Sequence, residues 1–179
     1  MKKILAIAGS NSITSINKQL LEYIAAQLDE HEVKVVDLNQ YEFPMYSVEH
    51  EKERSFPVDV QVLKNIIAEH DAVIISVAEH NGSVSAYFKN IIDWLSRINR
   101  NFLADKKVLL TSTSPGQRGG KSALEFMKMI VPRFGGTVVE SFSFPSFHEN
   151  FDQENKRVSD EMLVLGLHEV LNTFSREIS

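Results

Sequence analysis

The chain has 179 residues, 43% of them hydrophobic, which suits one globular domain with a sizeable core. A net charge of −5 with Lys and Arg scattered in runs no longer than two argues against a nucleic-acid partner, since phosphate backbones call for a basic patch. With no cysteine, disulfides, a thiol nucleophile and thiolate metal sites are all excluded.

In chain order, the first signal is KILAIA (3–8), a continuous apolar run of the kind that makes a strand buried on both faces. It is too short for a signal peptide, and no apolar stretch nears the roughly 20 residues that span a bilayer. The expectation is a soluble, cytoplasmic, single domain over residues 1–179, with no membrane partner. Ile16, Leu20, Leu21, Ile24 and Leu28 then share one helical face, and VKVVDL (33–38) reads as a second strand. Residues 39–57 form a long connection holding Pro44 and Pro57.

Residues 58–70 read as a helix and AVIISV (72–77) as a third strand. A helix over 86–98 carries the stripe Phe88, Ile91, Ile92 and Leu95, and KVLLTS (107–112) is the fourth strand. A helix over 122–134 stops at Gly135-Gly136, TVVESFSF (137–144) is the fifth strand, and a last helix covers 159–178.

Strands alternating with helices imply an α/β fold, with a parallel five-stranded sheet and right-handed crossovers. In the order 2-1-3-4-5, ligands bind beyond the carboxyl ends of strands one and three. The unusual loops fall where that order needs them. GSNSITSIN (9–17) follows strand one, AEHNGSVS (78–85) strand three and TSPGQRGG (113–120) strand four.

GSNSITSIN holds four hydroxyls, Ser10, Ser12, Thr14 and Ser15, beside Asn11 and Asn17, with no charge. At a helix N-terminus this is equipment for holding a terminal phosphate with backbone N–H groups and neutral donors. The plainer alternative makes Ser15 an N-cap and its neighbours turn residues. Gly9 is the only glycine, so the dinucleotide fingerprint is absent even with Asp37 ending strand two, and a mononucleotide is favoured.

PGQRGGKS (115–122) nearly matches a P-loop, but Pro115 stands at its first glycine and the loop follows strand four. Nucleotide hydrolysis is therefore a distant reading. In the third loop, Asn81-Gly82 is a strong turn signal, and Ser85 could be an ordinary N-cap. Glu79 and His80 are neighbours on a strand end and point opposite ways, so an acid/base pair is not expected. The six histidines lack metal spacing, and no metal site is expected. YEFPMY (41–46) reads as an aromatic plug or subunit contact, with substrate contact the lesser reading. SFHENFDQENK (146–156) reads only as a polar connection.

Together these loops resemble the NADPH-dependent FMN reductase family. That family's Gly-Ser-x-Arg-x-x-Ser-x-Asn loop is matched by Gly9, Ser10, Ser15 and Asn17, with Ser12 in the arginine's place. Its Pro-Glu-Tyr-Asn-Gly-Ser and Leu-Lys-Asn-x-Ile-Asp-Trp motifs are matched by AEHNGS and FKNIIDW, and its Ser/Gly-rich turn by STSPGQRGG. The likeness covers about residues 3–145 and departs from the pattern at Ala78, His80, Ser85 and Ala86.

The resemblance implies a flavodoxin-like three-layer sandwich that binds FMN. It also implies a ping-pong oxidoreductase taking hydride from NADPH or NADH at flavin N5. An electron-poor acceptor (a quinone, azo compound, metal oxyanion or free flavin) would follow. No protein nucleophile or general base is implied. By the same likeness Ser10, Ser12, Ser15, Ile16 and Asn17 would hold the phosphate. Glu79, His80, Asn81, Gly82 and Ser83 would line one ring edge, and Ser112, Thr113, Ser114 and Gly116 the other. Arg118 is a candidate contact for NAD(P)H or the reduced flavin, or simply a solvated arginine. A homodimer or homotetramer is implied. The alternative is a flavodoxin-like electron carrier without fast NAD(P)H turnover.

Overall fold

The computed structural model describes residues 1–179. Strand β1 (Lys3–Ala8) leads to helix α1 (Ile16–Ala26), strand β2 (Glu32–Val36), a 3-10 turn (Leu38–Gln40), and helices α2 (Val48–Arg54) and α3 (Val58–Ala68). Strand β3 (Ala72–His80) hairpins into β4 (Ser83–Val84), followed by α4 (Ala86–Ile98), β5 (Lys107–Thr113), α5 (Lys121–Ile130) and β6 (Thr137–Phe144). A short α6 (Phe147–Asn150), strands β7 (Phe151–Asp152) and β8 (Arg157–Val158), and the long α7 (Glu161–Ile178) complete the chain.

The main sheet runs β2-β1-β3-β5-β6, every pair parallel, which is the expected 2-1-3-4-5 order. Alternate residues of the central strands feed two cores. Leu5, Ile7, Val73, Ile75, Val108 and Leu110 pack with α3, α4 and α5, while Ile4, Ala6, Ile74 and Leu109 pack with α1 and α7. This two-sided burial is why KILAIA and AVIISV read as unbroken apolar runs rather than alternating ones. The fold is flavodoxin-like.

Four departures from the sequence reading have physical causes. The helix expected through residue 134 gives way after Ile130 to a 3-10 turn over Val131–Phe134, because Pro132 has no N–H to continue the ladder. The third strand runs on to His80 before Asn81 (φ 52) and Gly82 (φ 77) turn it back as a tight hairpin, the primed type that Asn-Gly favours. Within the 39–57 connection, α2 buries no residue, so it has no apolar stripe to detect; Ser47 caps it, with Glu49 and Glu51 in its first turn and Lys52 and Arg54 in its last. From within 146–156, the two-residue β7 pairs antiparallel with β8 just beyond it, both too short for periodicity to register.

Two residues of FKNIIDW tie down the 39–57 connection. Asn90 Oδ1 accepts the Tyr46 N–H (2.8 Å), its Nδ2 donates to the carbonyls of Phe43 and Pro44, and Trp94 Nε1 donates to Pro44 O (2.7 Å). Tyr46 meets Trp94 edge-on at 5.0 Å, so the aromatic segment plugs the α4 side of the core.

Candidate functional site

The carboxyl ends of β1, β3 and β5 open into a cleft of about 320 Å³, within the range of ligand sites. Its wall holds Ser10, Ser12, Thr14, Ser15, Ile16, Asn17, Ala78, Glu79, His80, Thr113, Ser114, Pro115 and His148. Nine of the residues singled out from the sequence therefore meet in one place: Ser10, Ser12, Ser15, Ile16, Asn17, Glu79, His80, Thr113 and Ser114.

The 9–17 turn is held in shape by its own hydroxyls. Ser10 Oγ accepts the Ser12 N–H (3.2 Å), Ser12 Oγ accepts the Thr14 N–H (3.3 Å), and Ser15 Oγ caps α1 by accepting the Lys18 N–H (3.2 Å). The capping alternative for Ser15 is thus realised, and part of the hydroxyl excess is turn architecture. Ser10 and Ser15 each keep a hydroxyl hydrogen to donate elsewhere. The N–H groups of Ile16 and Asn17 find no acceptor in the protein and stand at the positive end of the α1 dipole. Gly9 lets this turn lie against α4, because a Cβ there would sit 2.6 Å from Phe88 Cγ.

Asn17 has a different role from the one its position suggests. Its side chain is buried, with Oδ1 accepting from Ser76 Oγ and the Thr113 N–H (both 3.1 Å) and Nδ2 donating to Thr113 O (3.2 Å). It staples α1 to the ends of β3 and β5. Only its backbone N–H is free for a ligand.

Glu79 Oε2 accepts the Ala123 N–H at 3.0 Å, a cap on α5 supplied from β3. This clamps the hairpin to α5, while His80, its exposed neighbour on β3, also lines the cleft. Asn81, Gly82 and Ser83 are exposed at the hairpin tip rather than in the cleft wall. Ser112 is fully buried, its Oγ donating to Gly119 O (2.7 Å) beneath the 113–120 turn. Thr113 Oγ1 donates to Phe144 O, and Ser114 Oγ to Gly116 O. Gly116 and Arg118 lie outside the cleft wall. Arg118 donates to Ser122 Oγ (2.9 Å) and forms no ion pair, so the Ser122 hydroxyl of the P-loop-like run already has a partner.

Asp37, the acidic end of strand two, accepts from Lys18 Nζ (2.5 Å) and from the Asn39 N–H (3.0 Å). The Lys18 hydrogen bond first, and the Asn39 N–H second, hold its carboxyl below the usual carboxylate range. Nearby, burial pushes the Tyr87 phenol up to about 12, with the Asp37 charge adding to the shift, while its hydroxyl donates to Leu38 O.

His148 was missed in the sequence because it lies in a connection with no periodic signal; α6 follows β6 back to the mouth of the cleft, where the Phe147 N–H bonds Ser114 O (3.0 Å). The donor chemistry of the cleft fits a phosphate: open N–H groups, hydroxyls and a helix N-terminus, with the one wall carboxylate turned to Ala123.

The family model for NADPH-dependent FMN reductases matches residues 2–149. A quinone reductase of Escherichia coli (strain K12) is 35% identical over 122 residues, 63% of this chain and 65% of the relative. An NADPH:quinone oxidoreductase of Arabidopsis thaliana is 32% identical over 123 residues, 67% of this chain and 62% of the relative. The chain thus spans less than two thirds of either relative's length. Among solved structures, the flavoenzyme NAD(P)H:(acceptor) oxidoreductase FerB from Paracoccus denitrificans shares the fold, with a TM-score of 0.80 and 24% identity over 99% of this chain and 97% of that one.

Proposed function

Because the chain belongs to the NADPH-dependent FMN reductase family, we propose that it is an FMN-dependent NAD(P)H oxidoreductase acting on quinones, azo compounds or similar electron-poor acceptors. The observation that carries this reading is the α1 cradle, with unpaired N–H groups at Ile16 and Asn17 beside free hydroxyl donors at the sheet's switch point. When bound, FMN supplies two-electron hydride chemistry, alternating between NAD(P)H and the acceptor.

The chain's own residues hold and orient. Ile16 and Asn17 donate backbone N–H groups to the phosphate, joined by the hydroxyls of Ser10, Ser12 and Ser15. Residues 79–83 present the hairpin backbone to one ring edge, and Thr113, Ser114 and Gly116 stand on the other, with Ser112 supporting the turn from below. Arg118, free of any carboxylate, is available to negative charge on the reduced ring or on a nicotinamide nucleotide. The active species is a dimer or tetramer.

The alternative, a flavodoxin-like carrier, calls for acidic residues around the ring. Here Glu79 is the one carboxylate of the cleft wall and Arg118 has no carboxylate partner, which favours the reductase. The test is a spectral titration with FMN followed by NADPH oxidation in the presence of a quinone. Saturable binding with rapid turnover supports the proposal. Binding without turnover supports the carrier, and no binding at excess FMN removes both.

A further inference from the structure

A series of hydrogen bonds leads from the 9–17 turn to an imidazole on the rim of the same cleft. Gln19 Nε2 donates to the Thr14 carbonyl (3.4 Å), Gln153 Nε2 donates to Gln19 Oε1 (2.9 Å), and Gln153 Oε1 lies 3.3 Å from His148 Nδ1. A backbone carbonyl can only accept, so the direction of the whole series is set from that end. Gln19 must turn its Nε2 to Thr14 and its oxygen to Gln153. Gln153 then turns its own oxygen to His148, whose Nδ1 carries the hydrogen. Nε2 of His148 has no partner in the protein. The Phe147 ring stands edge-on to the imidazole at 5.6 Å.

Resting on the proposed FMN site, we propose that His148 is a phosphate-contacting residue whose protonated Nε2–H supplies the cationic donor that Ser12 does not. The other charged groups around it are already engaged or stand apart. Across the cleft on β3 are Glu79, bound to Ala123, and His80; α1 brings Lys18, paired with Asp37, and Glu22 in the groove behind Gln153. On α6 itself is Glu149, and the β7–β8 pair and its turn bring Lys156 and Asp152, the latter held by Asn155 and Arg157. His148 and His80 are therefore the two titratable cations of the cleft wall.

The sign of the linkage is definite. Protonation of a histidine, near pH 6.5 in ordinary peptides, strengthens its hold on a phosphate as pH falls. The second proton of the phosphate monoester, near pH 6, acts in the opposite sense, so ligands with and without phosphate must be compared at each pH. The measurement is the dissociation constant of FMN and of riboflavin, by flavin fluorescence, at about pH 6 and about pH 8.5. His148→Gln should weaken FMN about three- to tenfold at the lower pH and less at the higher, with riboflavin unchanged. His148→Lys should bind FMN tightly at both, and His80→Gln should leave the difference between the ligands intact. Unchanged FMN affinity in His148→Gln, equal weakening of both flavins, or transfer of the effect to His80→Gln would overturn the role of His148 alone. Failure of the unaltered protein to bind FMN overturns this and the proposed function together.

Discussion

Asn17 stands where a phosphate ligand is expected, yet its amide is occupied in joining three elements. Asn17→Ala strands the Ser76 hydroxyl and both backbone groups of Thr113 in a buried setting, at about 1–3 kcal/mol for each unsatisfied group that water cannot reach. Chemical denaturation should show a loss of at least about 2 kcal/mol, with weakened FMN binding as a consequence of a displaced cradle. Ser15→Ala should cost about 1 kcal/mol as a lost cap and weaken FMN as well. Ser12 is exposed at the turn, so Ser12→Arg should leave stability unchanged and tighten FMN; equal affinity would deny a phosphate at this turn. Gly9→Ala forces a methyl into Phe88 and should cost about 1–3 kcal/mol, read as a lowered Tm. The sequence displayed these residues as a motif but not their division of labour, because whether a polar group faces inward or outward depends on contacts 59 and 96 positions away.

Among the elements, those with a strong apolar period were legible and those without were not. The stripes Leu20, Leu21, Ile24 and Phe88, Ile91, Ile92, Leu95 became the buried faces of α1 and α4. Helix α2 buries no residue, and β4, β7 and β8 are two residues each, so caps, turns and contacts define them rather than a pattern. The β3–β4 hairpin depends on one such contact, Glu79 on Ala123. Glu79→Ala should lose about 1 kcal/mol of cap and speed amide hydrogen exchange across residues 79–84 and the first turn of α5, while leaving β1 and β2 protected. Uniform exchange across the sheet would show that the clamp holds nothing locally. Asn90→Ala should likewise raise proteolytic nicking within residues 41–57, since Asn90 makes three hydrogen bonds to that connection.

At the scale of the whole molecule, strand order could be anticipated because chemistry-bearing loops after strands one, three and four make sense only if those strands lie side by side. The rim contribution from α6 could not, since it returns to the cleft through a connection with no period or motif. Four carboxyls are held below their usual range: Asp37 chiefly by Lys18, Glu51 by Arg97, Asp71 by the Lys3 N–H and Asp152 by Asn155. Lowered carboxyls stabilise the fold above their unfolded pKa and lose that contribution as pH falls through the folded values. The denaturation midpoint should therefore stay level from neutrality to about pH 5 and fall below about pH 4. The deficit of Lys18→Gln against the unaltered protein should be present at neutral pH and vanish in acid.

The central claim is that the open end of α1 receives a phosphate, and a crystal structure of the FMN complex tests it most directly. The expected result is the FMN phosphate within hydrogen-bonding distance of the Ile16 and Asn17 N–H groups, with the ring toward the 78–83 hairpin. A phosphate bound elsewhere, with those two N–H groups left to solvent, would contradict it.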